Sequence, residues 1–352
     1  MPISSEQPSL FGLNKTNRDY TKESTWGKNQ FNSSFPASLC SYLASKDIEA
    51  NYLSIEGGVL KPTTIAIKDV FGIEADDSDL YFAFESQHTP FQRYVIGSLP
   101  RTDLVTQKES TGECLQGLEI KLTALPDNST FHLKENEYGS ELVVRPDTIV
   151  YLACSLASSL QSGLIELISN IQIEDWADAS LVLPHIKTII ETIKNISLYI
   201  EDTQNAFLLQ PIWKTKGKSP QLAEQCLDIF VWSNAGFSNF ISQIADSNPK
   251  ATKITRQTRT AIWLFKMLQD IAIKGQFDHE AIIDTLSYNT KNDKAFASSG
   301  KITNRYMLSP RLEKPVISKA EIKNIILGGG QNMLSPERRF DAIIFNSPEL
   351  FL

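Results

Sequence analysis

The sequence predicts an α/β fold in which a mixed central sheet is flanked by helices and followed by a mainly helical C-terminal part. Short segments rich in β-branched and aromatic residues recur between residues 51 and 145, separated by Gly, Pro, Asp or Asn. A long apolar pattern of helical period follows, and Pro146 opens it at a position where proline is favoured. A composition of 41% hydrophobic and 21% charged residues is that of a globular protein and excludes disordered or fibrous classes.

The elements before residue 200 are predicted from local pattern. Residues 1–34 are polar and predict an arm or loop ahead of a first helix at residues 35–47. Strands are expected in six segments: NYLSI (51–55), TTIAI (63–67), LYFAF (80–84), RYVIG (93–97), CLQGLEIKLTAL (114–125) and SELVVR (140–145). Helices are expected at about residues 146–170 and 183–195.

The remaining elements suggest a division of the chain. Strands are predicted in NAFLLQPIWKT (205–215) and DIFVWSN (228–234), and the rest is mainly helical, including a helix at about residues 255–274. The segment KTKGKSPQ, residues 214–221, is the best candidate linker. We therefore predict a core with its N-terminal arm in residues 1–215 and a helical, basic region in residues 216–352.

Cysteine usage and the N-terminus predict a cytoplasmic protein. Cys40, Cys114, Cys154 and Cys226 show no pairing rhythm, which fits reduced thiols. The N-terminal residues lack the basic start and apolar run of a signal peptide. Residues 149–168 are the weakly charged stretch that could span a membrane, but the serines among them favour a soluble helix buried on one side.

The charge is distributed unevenly along the chain. Residues 250–339 hold 16 Lys and Arg against 8 Asp and Glu, a net +8, so the remainder carries −15 of a total of −7. A basic last third suggests a polyanionic partner, although a basic face is often only a solvated surface.

Three polar residues form the strongest candidate site. Glu119 and Lys121 lie in a segment where apolar and polar residues alternate, which is the period of a half-buried strand. Their side chains should project from one face, about 7 Å apart. Asp103 lies 16 residues before Glu119 in its own short extended segment. Two adjacent strands would bring the three side chains together.

Phosphodiester hydrolysis requires such a set. Carboxylates and water hold Mg2+, which bridges to phosphate oxygens and lowers the pKa of a bound water. Asp103 and Glu119 would hold the metal, with the carbonyl of Ile120 as a further ligand. Lys121 would supply an ammonium that orients the water and offsets developing charge. These roles predict a PD-(D/E)XK, restriction-endonuclease-like core.

Alternatives to this site remain open from the residues alone. An acid-x-Lys triplet arises by chance about three times in a chain of this composition, and Glu119 and Lys121 could be a surface ion pair. Glu85 could add a third carboxylate to the metal site or lie in solvent. The four histidines show no zinc-binding or His-Asn-His spacing.

The predicted helix at residues 255–274 is the best candidate for contacting DNA. Arg256, Arg259, Trp263 and Lys266 fall within an arc of about 80°. Apolar residues occupy the opposite side: Ala261, Phe265, Leu268 and Ala272. A basic stripe opposite a core face suits phosphate contacts, and a solvated helix face explains the same pattern.

Four longer strings resemble the HindVP-type family of type II restriction endonucleases. They are NRDYTKESTWGKNQFNSSFPASL (17–39), GLEIKLTALPDNST (117–130), ELVVRPDTIVYLA (141–153) and LLQPIWKT (208–215). The resemblance implies a PD-(D/E)XK homodimer that cuts double-stranded DNA with Mg2+ at a short palindrome, GRCGYC, alongside a methyltransferase of the same specificity. One departure is that the expected Pro-Asp pair reads Pro100-Arg-Thr-Asp103 here.

Two other functions are compatible with the sequence. A repair or recombination nuclease on the same fold would cut damaged or branched DNA with little sequence preference. A DNA-binding protein with a purely structural nuclease core would bind DNA without cutting it. The assay for DNA cleavage separates the three.

Overall fold

The computed structural model describes part of the chain. The described residues are 13, 15–18, 28–56, 59–122, 142–168, 171–200, 206–210, 213–216, 219–222, 230–246, 253–288 and 296–298.

The strands of these residues form two larger sheets and two two-stranded sheets. They are β1 (Ala50–Glu56), β2 (Val59–Ile65), β3 (Leu80–Ser86), β4 (Thr102–Lys108), β5 (Cys114–Leu118), β6 (Ile120–Leu122), β7 (Leu142–Val144), β8 (Ala206–Gln210), β9 (Trp213–Lys216), β10 (Ser219–Leu222), β11 (Phe230–Ser233) and β12 (Phe296–Ser298). One sheet has the order β2-β1-β11-β8-β6 and mixes parallel with antiparallel pairs. The other is antiparallel, with the order β3-β4-β5.

Helices form the remaining regular structure. They are α1 (Lys28–Ser45), α2 (Ile67–Phe71), α3 (Pro146–Leu160), α4 (Leu164–Leu167), α5 (Ala179–Val182), α6 (Ile186–Tyr199), α7 (Asn234–Asp246), α8 (Arg256–Lys274) and α9 (His279–Thr285). The structure is therefore of the mixed α/β class, as predicted, and its described residues between 234 and 288 are helical apart from connections.

The main hydrophobic core lies among α3, α6, α7 and α8, which pack against one another. The predicted apolar face of α3 is buried, with Ile149, Leu152 and Leu156 in the core. Ser155 on the other side of α3 is buried too and bonds to Asn234 of α7. Among the described residues, Pro146–Leu167 has the length and composition of a membrane span, and most of it is buried inside the protein.

Three local predictions were wrong. RYVIG is not a strand, because Pro90 stands near the start of a 3-10 helix, Thr89–Tyr94, and Val95 forms an isolated bridge with Phe277. TTIAI is divided between the end of β2 and the start of α2. The first helix begins at Lys28 rather than at residue 35 and contains Pro36.

The central sheet crosses the predicted domain boundary. The segment predicted as a linker contains β9 and β10, which pair as an antiparallel hairpin. Beyond it, β11 lies between β1 and β8, so residues from both sides of residue 216 build one sheet. A boundary at residues 214–221 would separate neighbouring strands.

A short N-terminal segment covers the free edge of β3. Thr16 forms a parallel bridge with Phe82. The side-chain amide of Asn17 donates to the carbonyl of Phe84 and accepts from its N–H, both at 2.9 Å. The amide thus replaces a neighbouring strand and satisfies the edge of the sheet that carries the candidate site.

Candidate active site

The antiparallel sheet places three carboxylates at neighbouring positions. Leu104 in the central strand β4 pairs with Phe84 of β3 and with Leu118 of β5. Asp103 precedes Leu104, Glu85 follows Phe84 and Glu119 follows Leu118, so each acid is one residue away from these paired positions. The register therefore brings Asp103 and Glu119 to the same end of the sheet.

Glu119 lies where the chain passes from one sheet to the other. It stands between β5, which pairs with β4, and β6, which pairs with β8. The single continuous strand predicted over residues 114–125 is therefore interrupted at Glu119. This interruption turns the carboxylate into the protein, where Glu119 is only 6% exposed.

Both oxygens of the Glu119 carboxylate lie within hydrogen-bonding distance of a threonine hydroxyl. Thr148 Oγ1 donates to Oε1 at 3.0 Å, and Thr102 Oγ1 is 3.1 Å from Oε2. Thr102 Oγ1 is also 2.8 Å from the carbonyl oxygen of Leu118, so its single proton serves either acceptor. The two hydroxyls hold the carboxylate at a defined position between β4 and α3.

Asp103 contacts the residue that follows Glu119. The backbone N–H of Ile120 donates to Asp103 Oδ2 at 2.8 Å. Asp103 is half-buried, and its carboxylate is thereby fixed next to the Glu119–Ile120 peptide. Asp103 therefore contacts the peptide that joins Glu119 to Ile120.

Glu85 takes a different direction from Asp103 and Glu119. Its φ of 48° places it in the left-handed region, where a non-glycine residue is strained. Its side chain is 57% exposed, and its Oε1 lies 3.8 Å from the guanidinium of Arg18. In the described part of the chain, no three His, Cys, Asp or Glu side chains gather as a metal-binding group, so Glu85 does not join the pair in this arrangement.

Lys121 is described through its backbone alone. It lies in β6 and pairs with Leu209 of β8. Its side chain lies outside the described residues, so the predicted alignment of its ammonium with Glu119 stays a prediction.

Comparison with known proteins identifies the family of the chain. The model of the HindVP restriction endonuclease family matches residues 26–351. The chain belongs to the HindVP restriction endonuclease family. This confirms the resemblance read from the four sequence strings.

Two curated relatives match almost the whole chain. A Haemophilus influenzae protein described as "Probable type II restriction enzyme HindVP" is 53% identical over 348 residues, covering 98% of this chain and 95% of the relative. A Herpetosiphon aurantiacus protein described as "Type II restriction enzyme HgiDI" is 43% identical over 350 residues, covering 98% and 97%. No solved structure gives a significant match.

Sequence reasoning missed the polar side chains that surround the pair in this HindVP family member. Tyr151 of α3 donates its hydroxyl to the carbonyl of Pro100 at 2.8 Å and accepts from the N–H of His88 at 3.1 Å. Thr102 and Thr148 contact Glu119. Thr102 precedes Asp103 in β4, but no local signal marks Thr148 or Tyr151, which reach this part of the fold through tertiary packing.

His88 is a buried histidine close to this network. Its ring packs edge-on against Phe91, with the ring centroids 4.6 Å apart. Its Nδ1 is buried without a hydrogen-bond partner among the described residues. Burial lowers the pKa of His88 from 6.5 to about 4. The folded protein therefore keeps this imidazole neutral at pH values where the unfolded chain protonates it.

We expect His88 to make the protein less stable in acid. Since its pKa is lower in the folded state, its contribution is fully present above pH 6.5 and is lost as the pH falls toward 4. The loss is at most about 3 kcal/mol. Chemical denaturation of wild type and His88→Leu between pH 7 and pH 4 measures it, with His185→Leu as the control. An equally steep pH dependence in His88→Leu would contradict the assignment.

The predicted DNA-contacting helix is present, but part of its basic stripe is buried. α8 spans Arg256–Lys274 with Thr255 as its N-cap. Arg259 is 2% exposed and Trp263 1% exposed, and the guanidinium lies 4.5 Å from the centroid of the indole ring. The placement of both on a solvent face was wrong, because neighbouring elements cover α8 on more than one side.

The other two predicted basic residues of α8 differ from each other. Arg256, in the first turn, is exposed. Lys266 is half-buried and forms a salt bridge with Asp270 at 2.5 Å. Asp270 forms a second salt bridge, with Lys274, at 3.1 Å. Of the three residues predicted to contact DNA, Arg256 is the one that the fold leaves on the surface.

Proposed function

We propose that this chain is a type II restriction endonuclease that hydrolyses phosphodiester bonds in double-stranded DNA and leaves 5′-phosphates. Family membership over nearly the whole chain supports site-specific DNA cleavage. One observation carries the catalytic assignment. The buried Glu119 carboxylate is held by the hydroxyls of Thr102 and Thr148, and the next residue, Ile120, donates its N–H to Asp103. The short palindrome GRCGYC is the expected site from the family resemblance.

The residues around Glu119 suit a hard divalent cation, for which Mg2+ is our proposal. Carboxylate and carbonyl oxygens are the ligands that such cations prefer, and Asp103 and Glu119 would supply the carboxylates. The N–H and C=O of one strand residue point to the same side. Since the N–H of Ile120 points to Asp103, its carbonyl should face that side as well and act as a further ligand.

The remaining roles complete a PD-(D/E)XK mechanism. A bound cation would lower the pKa of a water and neutralise charge on the phosphate. Asp103, Glu119 and the Ile120 carbonyl would orient that cation against the scissile phosphate. Lys121 would hold the attacking water with its ammonium and stabilise the negative charge that develops on the phosphate oxygens.

The biological setting follows from the palindromic site. A two-fold symmetric sequence is matched by a symmetric protein, so we propose a homodimer with one active site for each strand. A methyltransferase of the same specificity would protect the host DNA. We place both activities in the cytoplasm, where the DNA is accessible.

A cleavage assay tests the proposed function. Purified protein is incubated with phage DNA and Mg2+, and with a plasmid pair that differs in a single GRCGYC site. Discrete bands that depend on this site support the proposal. A smear or preferential cutting of branched DNA would indicate a repair nuclease instead, and binding without products a non-catalytic DNA-binding protein.

Arg256 and Arg259 should respond differently to replacement. Arg256→Ala should weaken DNA binding on every sequence and lower the slope of log affinity against log salt by about 0.9, because one phosphate contact is lost. Arg259→Ala should instead lower the melting temperature, because it removes a buried side chain from the Trp263 ring.

Each variant is the control for the other, because Arg256→Ala should change the salt dependence of DNA binding and Arg259→Ala should change the melting temperature. Fluorescence anisotropy with labelled duplex DNA from 50 to 200 mM salt, without divalent metal, gives the slope, and thermal melting gives stability. An unchanged slope in Arg256→Ala would move the DNA contact to another part of the basic region.

A further inference from the structure

Helix α3 presents two hydroxyls, one turn apart, one to the Glu119 carboxylate and the other to the backbone that leads to Asp103. Thr148 and Tyr151 are separated by three positions, so they lie on the same face of the helix. Thr148 bonds to the Glu119 carboxylate at 3.0 Å. Tyr151 bonds to the carbonyl of Pro100, three residues before Asp103, at 2.8 Å.

Tyr151 joins the segment that follows β3 to the segment that leads into β4, the strand of Asp103. Its hydroxyl accepts from the N–H of His88, just beyond β3, and donates to Pro100, just before β4. Burial raises the pKa of Tyr151 far above neutral, so the phenol keeps the proton that it donates. One side chain thereby fixes the separation between α3 and the start of β4.

The helix that carries these hydroxyls is itself held rigidly. Ile149 and Leu152, which directly follow Thr148 and Tyr151, are fully buried in the main core. Thr148 is the third residue of α3, close to the positive end of the helix dipole, which favours a carboxylate there. Its β-branched side chain also has few rotamers, so its hydroxyl has little freedom to leave Glu119.

We propose that Thr148 and Tyr151 are positioning residues that set the geometry of the Asp103 and Glu119 pair and, through it, the affinity for the divalent cation. Neither needs to touch DNA or the cation. Thr148 orients the Glu119 carboxylate directly, and Tyr151 places the backbone that carries Asp103. This inference rests on the proposed function, since it assigns the pair to a metal site.

The test for Thr148 removes its hydroxyl and keeps its shape. Thr148→Val should raise the Mg2+ concentration for half-maximal cleavage about 10-fold or more, as loss of a partner of a metal ligand does. The dissociation constant for Ca2+, measured by calorimetry on metal-free protein, should rise by a similar factor. Thr148→Ser should restore both values.

Thr260→Val is the matched control for this substitution. Thr260 is a buried threonine whose hydroxyl donates to the carbonyl of Arg256 within α8, at 3.0 Å. Its replacement should leave the Ca2+ and Mg2+ dependence unchanged.

A second pair of variants tests Tyr151 independently. Tyr151→Phe should lower kcat and weaken Ca2+ binding while leaving DNA affinity without metal unchanged. Tyr288→Phe is the control, because Tyr288 also donates to a backbone carbonyl, that of Trp176, at 2.7 Å. Should Thr148→Val fail to fold, as seen by circular dichroism, Tyr151→Phe and Thr148→Ser still decide the question.

The outcomes separate the inference from the proposed function. Wild-type Ca2+ affinity in both Thr148→Val and Tyr151→Phe would overturn the positioning role, whether or not the wild type cleaves DNA. Absence of cleavage by a wild type that binds Ca2+ would overturn the proposed function, and the affinities of the variants would still judge the inference. If the control variants Thr260→Val and Tyr288→Phe lost Ca2+ affinity as strongly as Thr148→Val and Tyr151→Phe, that result would count against the positioning role.

Discussion

Glu119→Gln is expected to abolish DNA cleavage while leaving the fold intact. The amide keeps the shape of the side chain, and its oxygen and nitrogen can both bond to the hydroxyls of Thr102 and Thr148. It removes the negative charge that would hold the cation. Because losing even a partner of a metal ligand costs about 10–100-fold, loss of the ligand charge itself should lower cleavage by more than about 100-fold.

The choice of glutamine follows from the burial of Glu119. Alanine would leave the buried hydroxyl of Thr148 without its acceptor, and an unsatisfied buried polar group costs about 1–3 kcal/mol. An inactive Glu119→Ala protein would therefore not separate chemistry from folding. With glutamine, circular dichroism melting should match that of the wild type.

The measurement combines plasmid cleavage with calorimetric titration of Ca2+. The control is Glu113→Gln, which removes an exposed carboxylate that pairs with Lys108 at the other end of the same sheet. It should cleave DNA and bind Ca2+ as the wild type does. Cleavage by Glu119→Gln within a few-fold of the wild type would exclude Glu119 from the metal site.

Lys121→Ala is expected to abolish cleavage but to retain binding of divalent cations. An ammonium is not a metal ligand, and its removal lessens repulsion toward the cation. It also takes away the charge that stabilises the transition state. Affinity for Ca2+ should therefore stay the same or rise while the rate of cleavage falls.

This pattern distinguishes a catalytic lysine from a structural ion pair. If Lys121 and Glu119 only paired with each other, removing either would change stability by about 1 kcal/mol or less and would leave cation binding unaffected. Lys108→Ala, which removes a lysine from the far end of β4, is the control. Equal Ca2+ affinity in wild type, Glu119→Gln and Lys121→Ala would contradict the metal site as a whole.

Local pattern was sufficient where the chain is governed by its own periodicity. Pro146 starts α3, as its position in the sequence indicates, and α8 begins one residue after the predicted start at residue 255. The strands around residues 51–55 and 80–84 form where β-branched and aromatic residues predict them. The register then brings Asp103 and Glu119 to the same end of the sheet, which the 16-residue spacing had suggested.

Local pattern failed where a distant segment supplies a second partner. The alternation of residues 118–122 predicts one strand. In the structure β5 pairs with β4 whereas β6 pairs with β8, so the strand is interrupted at Glu119. α8 shows one apolar stripe, yet Arg259 and Trp263 are buried as well. A single apolar stripe predicts one buried face of a helix, and it does not predict whether a second face is buried by other elements.

The sequence by itself determined the α/β class, the main helices and the family, and it singled out Asp103 and Glu119 as the proposed pair of acids. The tertiary structure decided how those acids are held, because Thr148 bonds to Glu119 and Tyr151 bonds to the carbonyl of Pro100 from a helix that follows in the chain. It also decided that Glu119 is buried and that Glu85 turns toward Arg18. The physical reason is that periodicity encodes how a segment folds on itself, whereas burial depends on the segments that pack against it.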